Sequence, residues 1–265
     1  MACCNGNSVR ILAIIPAFNE ERSLPAVVAG LRRAAPALDL CVVDDGSTDR
    51  TAEVARGLGV TLLRNPVNLG IGGAVQAGYL WARDHGHDVA VQVDGDGQHD
   101  ASFLPALVEP IAAGRAGLVV GSRFAGVPTA EGFRSTRLRR AGIRYLSWLL
   151  RLRCGARVTD PTSGFRAAGR AAILLFAGSY PPDYPEPESI AVAARGGVVV
   201  AEVPVMMTER LHGASSINAW RTFYYLVKVS LALLLLPTRR AARQAGGAAS
   251  TAPAAGATAR PGGGA

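Results

Sequence analysis

The sequence predicts an α/β fold with a mostly parallel central sheet and helices on both faces. Short apolar runs alternate with helical stretches, and most of the runs are continuously apolar, as expected for strands covered on both sides. The runs are Ile11–Ile15, Leu40–Val43, Val60–Leu63, Val89–Val93, Leu118–Val120 and Val198–Val203. The first four strands are expected to finish at Pro16, Asp44, Asn65 and Asp94, so polar groups gather at their carboxyl ends. Because open α/β sheets bind ligands at the carboxyl ends of their strands, we expect the functional site there.

Length and composition favour one catalytic domain with short appendages. The chain has 265 residues, of which 49% are hydrophobic, and this is enough for a sizeable core. Its four cysteines lack the spacing of a zinc site or a CxxC pair, which favours a reducing, cytoplasmic compartment. We expect a flexible N-terminus over residues 1–8, the domain over 9–216, an apolar or amphipathic helix over 217–240 and a disordered tail over 241–265.

The positive charge indicates a phosphate-rich partner. The net charge of +8 comes almost entirely from arginine, because Lys228 is the only lysine. A basic amphipathic helix is predicted between Ser135 and Leu152. One stripe holds Leu138, Tyr145, Leu149 and Leu152, and another holds Arg137, Arg140, Arg144 and Arg151.

A later apolar stretch runs from Trp220 to Leu236 and falls short of the roughly 20 residues that span a bilayer. With the basic helix it predicts an enzyme that is peripheral at the cytoplasmic face of a membrane. The alternative is that both are core helices with solvated arginines.

Two aspartates directly follow the fourth apolar run. Asp94 and Asp96 flank Gly95, and Gln98 and His99 extend the cluster. Carboxylates one residue apart at a strand end suit a hard cation, Mg²⁺ or Mn²⁺, which prefers oxygen ligands. Such a cation neutralises the charge that builds on a departing diphosphate. A polar turn without a metal is the alternative reading.

A second acidic pair, Asp44 and Asp45, ends the second run. Asp45 is suited to accept hydrogen bonds from a base edge or a ribose hydroxyl. The following Ser47, Thr48 and Asp49 are accounted for by capping of the next helix. Two consecutive acids before Gly46 are not explained by capping, so they indicate a nucleotide contact.

Two further segments contain candidate substrate contacts. Phe18 can lie against a flat base, and Asn19 or Glu20 can contact the nucleotide. The glycine-rich segment 68–74 precedes a helix but matches no known phosphate-binding loop, so it is either a substrate-proximal helix start or a site of close packing.

Four segments in order, IPAFNEERSL, VVDDGSTDRT, NLGIGGAVQAG and DGDGQHD, resemble inverting family 2 glycosyltransferases of the GT-A fold. The similarity is strongest to the branch that transfers mannose or glucose to dolichol or polyprenyl phosphate, and it runs from Val9 to Leu236. It implies a nucleotide-sugar donor held by Pro16, Phe18, Glu20, Val43, Asp45, Asp94, Gly95, Asp96, Arg123, Arg210 and Ser216. It also implies a metal bound by Asp94 and Asp96, with Gln98 assisting.

On the acceptor side, the resemblance implies that Arg123 meets a phosphate, with a plain surface arginine as the alternative. The segment from Asp160 to Arg166 resembles an acceptor-side loop before a helix, which implies that Ser163, Gly164 and Arg166 handle a phosphate; a rigid turn is the alternative. Glu186 and Glu188 stand at an acidic helix start, where a carboxylate can act as general base. An ionised phosphate acceptor needs no strong base. The alternative is therefore that these glutamates only position the acceptor or cap the helix.

The segment from Glu209 to Ser216 resembles a loop that closes over the donor diphosphate. Arg210 fits that pattern, whereas Ser216 replaces the lysine of eukaryotic relatives, so one phosphate-neutralising charge is missing. We therefore expect the catalytic residues to be Asp96, Arg123, Glu188 and Arg210.

The expected partners are a nucleotide-sugar, a lipid phosphate, a membrane surface and a small membrane protein. A soluble or polysaccharide acceptor remains an alternative, because the donor half says little about what receives the sugar. A non-catalytic nucleotide- or nucleic-acid-binding module is disfavoured, because the arginine cluster lacks interleaved aromatic residues and the acidic site would repel a phosphate backbone without metal.

Overall fold

Seven strands form one mixed sheet in the computed structural model, which describes residues 9–125, 137–207 and 219–235. The strands are β1 Ile11–Ala17, β2 Asp39–Asp44, β3 Thr61–Arg64, β4 Val89–Gln92, β5 Leu118–Ser122, β6 Arg166–Gly169 and β7 Val200–Pro204. Their order is β3-β2-β1-β4-β6-β5-β7, and β6 alone among these seven is antiparallel to its neighbours. The predicted α/β class with a mostly parallel sheet is confirmed.

Helices cover both faces of this sheet. They are α1 Leu24–Ala34, α2 Thr51–Gly57, α3 Gly70–Asp84, α4 Leu104–Ala112, α5 Arg137–Cys154, α6 Arg170–Gly178, α7 Pro185–Arg195 and α8 Ala219–Leu235. Along β1, Leu12 and Ile14 pack into a core with α3, α5, α6, α7 and α8, whereas Ala13 and Ile15 pack into a second core with α1, α2 and α4. Burial on both faces explains why the strands are continuously apolar.

Close packing accounts for part of the glycine-rich segment 68–74 and the helix that follows it. A Cβ at Gly72 would lie 2.2 Å from the carbonyl oxygen of Pro181, and a Cβ at Gly78 would lie 2.2 Å from Ile14 Cγ2. Any larger residue would push α3 away from its neighbours. The packing alternative for Gly72 is therefore supported.

The strand β6 is a correction to the expected loop-then-helix order after Asp160. Residues 166–169 read Arg-Ala-Ala-Gly, which carries no β-strand signal, and become a strand because they pair with β4 and β5 on both sides. Because β6 runs antiparallel, its first residue, Arg166, lies opposite Gln92 at the carboxyl end of β4. The segment before β6 therefore reaches the same edge of the sheet as the ends of the parallel strands.

The basic amphipathic helix forms as α5, but its apolar stripe is divided. Leu149 is buried, whereas Tyr145 and Leu152 are 41% and 65% exposed. The core contacts of α5 come from Ile143, Leu146, Leu149, Leu150 and Cys154. The buried side of α5 therefore differs from the apolar stripe predicted from the sequence by a rotation about the helix axis. Residue spacing defines a stripe, but the neighbouring elements determine which side of the helix is buried.

The apolar stretch from Trp220 forms α8, which packs on α5 and α7. Leu226 of α8 packs against α5 at Gly142, where a Cβ would lie 3.3 Å from Leu226 Cδ1. Arg153 of α5 donates hydrogen bonds to the carbonyl oxygens of Leu233 and Leu234. Of the helices described, none is both long and apolar enough to cross a membrane. Residues 1–8 and 241–265, expected to be flexible, lie outside the described residues.

Candidate functional site

Main-chain hydrogen bonds fasten the strand ends together at the carboxyl edge of the sheet. The N–H of Asp45 donates to Ala17 O at 2.9 Å, joining the ends of β2 and β1. The N–H of Gly95 donates to Pro16 O at 3.3 Å, joining the ends of β4 and β1. These bonds bring the segments that follow β1, β2 and β4 to one place, as the sequence predicts.

The segment after β1 is held by side chains of the turn after β2. Asn19 has a left-handed backbone with a φ of 58°, and its Oδ1 accepts hydrogen bonds from Thr48 N–H and Oγ1–H. The N–H of Glu20 donates to Thr51 Oγ1 at 2.8 Å. Asn19 therefore fastens one loop to another, and this structural role explains it without a nucleotide contact.

Phe18 and Val43 lie in different surroundings. The Phe18 ring is 46% exposed at the end of β1, which suits a residue expected to stack on a base. Val43 is completely buried within the sheet and lies opposite Pro16, which is also buried. Any contact of Val43 with a nucleotide would therefore be made through its main chain.

Asp45 is fixed by two donors and is only 4% exposed. Its Oδ1 accepts hydrogen bonds from Asn65 Nδ2 at 2.8 Å and from Leu69 N at 2.9 Å. The turn after Asp45 needs glycine, because Gly46 has a φ of +72° and a Cβ there would lie 2.8 Å from Asn68 N. The carboxylate of Asp45 is thus tied to the beginning of α3.

The metal-binding candidates occupy the turn after β4, residues 93–99, which we call the metal turn. Asp96 is 7% exposed, and its Oδ1 accepts a hydrogen bond from Gln98 N at 3.0 Å. A Cβ at Gly95 would lie 3.6 Å from Glu20 Cγ, so the predicted nucleotide residue Glu20 borders this turn. Asp94 is less buried, with a side chain that is 33% exposed.

The donor set of this turn fits Mg²⁺ or Mn²⁺. Asp94 and Asp96 supply hard carboxylate oxygens, and Mg²⁺ commonly takes one or two carboxylates with substrate phosphates completing its shell. No group of three or more His, Cys, Asp and Glu side chains with metal-binding geometry occurs in the described residues. A site with only two carboxylates suits a cation that arrives together with a diphosphate better than it suits a cation held by the protein alone.

Two buried residues contact Asp94: His99, which the sequence placed in the metal cluster without a specific role, and Gln92, which was not singled out from the sequence. Gln92 donates from Nε2 to Asp94 Oδ1 at 3.2 Å, and His99 accepts at Nδ1 from Asp94 N at 3.0 Å. Burial lowers the pKa of His99, whereas the nearby carboxylates Asp94 and Asp96 oppose this shift. The signal for Gln92 was available, because an amide inside a buried apolar strand needs a polar partner.

The segment before β6 contacts Asp94 directly. A Cβ at Gly164 would lie 3.0 Å from Asp94 Oδ2 and 3.2 Å from Gln92 Nε2, and Phe165 O accepts a hydrogen bond from Gly121 N. The predicted acceptor-side loop and the predicted metal turn are therefore neighbours.

Gly164→Ala should lower activity without much loss of stability. The new methyl group must displace the Asp94 carboxylate or Gln92, so we expect transfer to fall about 10-fold, the lower end of effects seen for disturbed metal ligands. Initial rates and thermal unfolding would measure both quantities. Gly178→Ala is the matched control, since nothing lies within 4 Å of its Cβ position. Equal rates for the two variants would contradict the expected crowding of Asp94.

Arg123 is buried in an ion pair, so the reading of a plain surface arginine is wrong. Its Nε and Nη2 donate to the two carboxylate oxygens of Asp160 at 2.6 and 2.7 Å, and Nη2 also donates to Thr162 Oγ1. Asp160 is fully buried. Arg123 therefore fastens the loop before β6 to the end of β5, and its contact with a phosphate stays a prediction.

Arg166 lies beneath the site and is 1% exposed. It donates to the carbonyl oxygens of Ser163, Pro161 and Glu186 and to Ser189 Oγ. The expected handling of a phosphate by Arg166 is not supported, because these bonds use its guanidinium to join the loop before β6 to α7.

The two glutamates of the first turn of α7 interact with different charges. Burial raises the pKa of the Glu186 carboxyl, with Arg166 opposing the shift and Asp94 adding to it. Burial also raises the pKa of Glu188, but the charges acting on it are those of Lys228 and Asp183. Asp94 thus acts on Glu186 and not on Glu188 among these charges, and the role predicted for Glu188 stays a prediction.

The remaining predicted residues, Arg210 and Ser216, lie outside the described residues. The segment that leads to them begins after Met207, which forms an isolated antiparallel bridge with His99. The residue that precedes this segment is therefore attached to the metal turn.

Known proteins resemble this chain in sequence. The sequence profile of Glycosyl transferase family 2 matches residues 12–174. An undecaprenyl-phosphate mannosyltransferase of Micrococcus luteus is 34% identical over 79% of this chain and 88% of its own length. A polyprenol monophosphomannose synthase of Mycolicibacterium smegmatis is 32% identical over 79% and 81%.

Solved structures agree on the fold. Glucosyl-3-phosphoglycerate synthase of Mycobacterium tuberculosis, in complex with Mn²⁺, UDP and phosphoglyceric acid, has a TM-score of 0.61 and 25% identity, covering 85% of this chain and 77% of that one. The same enzyme with Mg²⁺ and UDP has a TM-score of 0.62 and 25% identity, covering 85% and 78%. With a family profile that spans more than half of its residues, this chain belongs to glycosyl transferase family 2.

Proposed function

We propose that the protein transfers a hexose from a UDP- or GDP-sugar to a polyprenyl phosphate, with inversion at the anomeric carbon. The observation that carries this proposal is the convergence of Asp45, Asp94 and Asp96 at one edge of the sheet, through bonds that join the ends of β1, β2 and β4. The relatives that act on undecaprenyl phosphate or make polyprenol monophosphomannose support the acceptor class.

The nucleotide half of the donor is assigned to the ends of β1 and β2. The exposed Phe18 ring offers a flat apolar surface for a base, and the Asp45 carboxylate offers an acceptor for hydroxyl or N–H donors. Because Asp45 is already fixed by Asn65 and Leu69, its orientation needs little reorganisation when the nucleotide binds. Glu20 borders the same region beside Gly95.

The diphosphate is assigned to the turn after β4. Asp94 and Asp96 would hold Mg²⁺ or Mn²⁺, and a cation bound there neutralises the charge of a departing nucleoside diphosphate. Related structures with Mn²⁺ or Mg²⁺ and UDP support this choice of metals. Arg210, in the segment after Met207, is proposed as a further positive charge toward the diphosphate.

The acceptor is assigned to the loop before β6 and the first turn of α7. An ionised phosphate is nucleophilic without proton removal, so neither Glu186 nor Glu188 needs to act as a strong base. Glu186 is instead suited to position the acceptor or a sugar hydroxyl, because its carboxyl interacts electrostatically with both Asp94 and Arg166. Arg123 stabilises the loop through Asp160.

The proposal is tested by product analysis with labelled donors. Purified protein is given UDP-glucose or GDP-mannose, each with undecaprenyl phosphate and Mn²⁺, and label is counted in the organic phase. We expect lipid-extractable label from one donor, and its loss when a chelator removes the metal. Label found only in a water-soluble or polymeric product would reject the polyprenyl phosphate acceptor, and absence of transfer from both donors would reject the enzyme assignment for these sugars.

A surface for the membrane is proposed on α5 and α8. Exposed apolar residues recur at three- and four-residue spacings, which places them on one face of each helix. This α5–α8 apolar face consists of Tyr145, Trp148, Leu152, Tyr224, Val227, Leu231, Leu234 and Leu235. The opposite faces of the two helices hold buried residues such as Leu146 and Val229. Both apolar stripes therefore point away from the core.

The charges beside this face fit an anionic bilayer. Arg140, Arg144 and Arg151 are exposed along α5 next to the apolar stripe. Tyr145 and Trp148 are in ring contact at 6.2 Å, and such residues favour the boundary between headgroups and acyl chains. Two weak apolar anchors combined with basic residues are sufficient for peripheral binding where one is marginal.

Membrane binding should be lost when the α5–α8 apolar face becomes charged. The double variant Trp148→Glu and Leu231→Glu, mixed with vesicles that contain phosphatidylglycerol, should remain at the bottom of a flotation gradient while the parent protein floats. Leu174→Glu is the control, because Leu174 is 49% exposed on α6 and outside this face. Unchanged flotation of the double variant, or a parent protein that never floats, would contradict the assignment.

A further inference from the structure

One imidazole contacts both the main chain and the side chain of Asp94. Its Nδ1 accepts a hydrogen bond from Asp94 N at 3.0 Å, and its Nε2 lies 3.6 Å from Asp94 Oδ2. We infer that His99 is a positioning residue for the proposed transfer, holding Asp94 in the orientation in which its carboxylate meets the cation. This inference rests on the proposed function and extends it to a residue that does not itself touch the substrate.

The tautomer of His99 follows from its hydrogen bond. Because Nδ1 accepts from a main-chain N–H, the proton of the neutral ring is on Nε2, the atom that faces the Asp94 carboxylate. The ring thus presents an acceptor to the backbone of Asp94 and an N–H toward its side chain.

Two other segments hold His99 in place. Its ring stacks on Phe165 with ring centroids 4.7 Å apart and planes 11° from parallel, and the residue is 9% exposed. Its backbone forms the antiparallel bridge with Met207 after β7. The metal turn, the loop before β6 and the segment after β7 therefore meet at this one residue. A rotation of the ring would break both its stacking on Phe165 and its hydrogen bond with Asp94 N.

Gln92 completes the support of the same carboxylate. It is 1% exposed on β4 and donates from Nε2 to Asp94 Oδ1, so the two oxygens of Asp94 are approached by two different buried groups. A carboxylate has about four lone-pair sites, so these contacts leave acceptor capacity for a cation. Asp94 is thereby oriented before any ligand binds.

Such supporting contacts usually matter nearly as much as the ligand itself. A metal-binding group whose supporting hydrogen bonds are removed typically loses about 10- to 100-fold in metal affinity. Replacing His99 should therefore weaken metal binding while the protein stays folded. A residue needed only for folding would lower stability and leave the affinity for metal unchanged.

The experiment measures Mn²⁺ binding by electron paramagnetic resonance, without any turnover. Mn²⁺ is titrated into the full chain alone and in the presence of UDP or GDP, for the parent protein and for His99→Ala. We expect the Kd for Mn²⁺ to rise about 10- to 100-fold in His99→Ala. His99→Asn keeps an acceptor at the position of Nδ1 and should recover part of the affinity. If His99→Ala does not fold, His99→Asn carries the test, with a Kd between the parent value and that range.

His87→Ala is the matched control. His87 is also buried and paired with an aspartate, since its Nε2 lies 3.0 Å from Asp39 Oδ2, but it precedes β4 and lies at the opposite end of the sheet from the metal turn. We expect its Mn²⁺ affinity to equal that of the parent protein. Equal binding by the parent and the His99 variants would overturn the inference alone, and so would equal weakening in His87→Ala. A parent protein that binds no Mn²⁺ under any of the three conditions would overturn the proposed function as well.

Discussion

Asp96→Asn should lower the rate of sugar transfer by about 10³-fold, the upper range for removing one preorganised electrostatic contact to a developing charge. Asparagine has nearly the same shape and keeps an oxygen that can accept the hydrogen bond from Gln98 N, but it lacks the negative charge that a divalent cation requires. The thermal unfolding midpoint should therefore stay close to that of the parent protein. Initial rates at saturating Mn²⁺ and thermal unfolding measure the two effects.

Asp84→Asn provides the comparison for Asp96→Asn. Asp84 is the last residue of α3, where it accepts a hydrogen bond from Arg83, and it is exposed to solvent. Its replacement should leave the transfer rate unchanged. A rate for Asp96→Asn that matches the rate for Asp84→Asn would show that Asp96 takes no part in metal or diphosphate binding.

Asp160→Ala should cost about 3–5 kcal/mol of folding free energy, because it leaves the buried guanidinium of Arg123 without its carboxylate. For a chain of this size, that corresponds to a fall of about 10 °C in the unfolding midpoint. Transfer should also fall, since the loop before β6 loses its ion pair with Arg123 and is held less firmly at the end of β5. Denaturant unfolding with a check of the m-value measures the loss of stability.

A double variant distinguishes the loss of the ion-pair attraction between Arg123 and Asp160 from the cost of leaving the Arg123 charge buried and unpaired. Arg123→Met combined with Asp160→Ala removes both charges, and it should recover a large part of the stability that Asp160→Ala loses. Glu109→Ala breaks a solvent-exposed pair with Arg115 and should change stability by less than about 1 kcal/mol. A double variant no more stable than Asp160→Ala would mean that the buried charge is not the source of the loss.

The parts of the site that follow parallel strands were predictable from the sequence. Asp45, Asp94 and Phe18 each lie within about three residues of the end of a continuously apolar run, and such runs in an α/β chain end at one edge of the sheet. The signal is local, since it needs only the strand and the residue that follows it. For the same reason the α/β class and the mostly parallel sheet were read correctly.

The acceptor side depends on pairing between distant residues and was less predictable. The strand β6 has no sequence signal of its own, yet its antiparallel direction brings Gly164 to Asp94. Spacing could not separate Glu186 from Glu188, because the distinction depends on Arg166 and Lys228 from other parts of the chain. The rotation of α5 about its axis was likewise decided by the surfaces against which it packs.

The most direct measurement is anomalous diffraction at the manganese edge from crystals grown with Mn²⁺ and either UDP or GDP. The account predicts an anomalous peak within coordination distance of the Asp94 or Asp96 carboxylate, beside the diphosphate of a nucleotide whose ribose or base contacts Asp45. A bound nucleotide whose diphosphate lies away from this turn, with no manganese peak near either carboxylate, would contradict it.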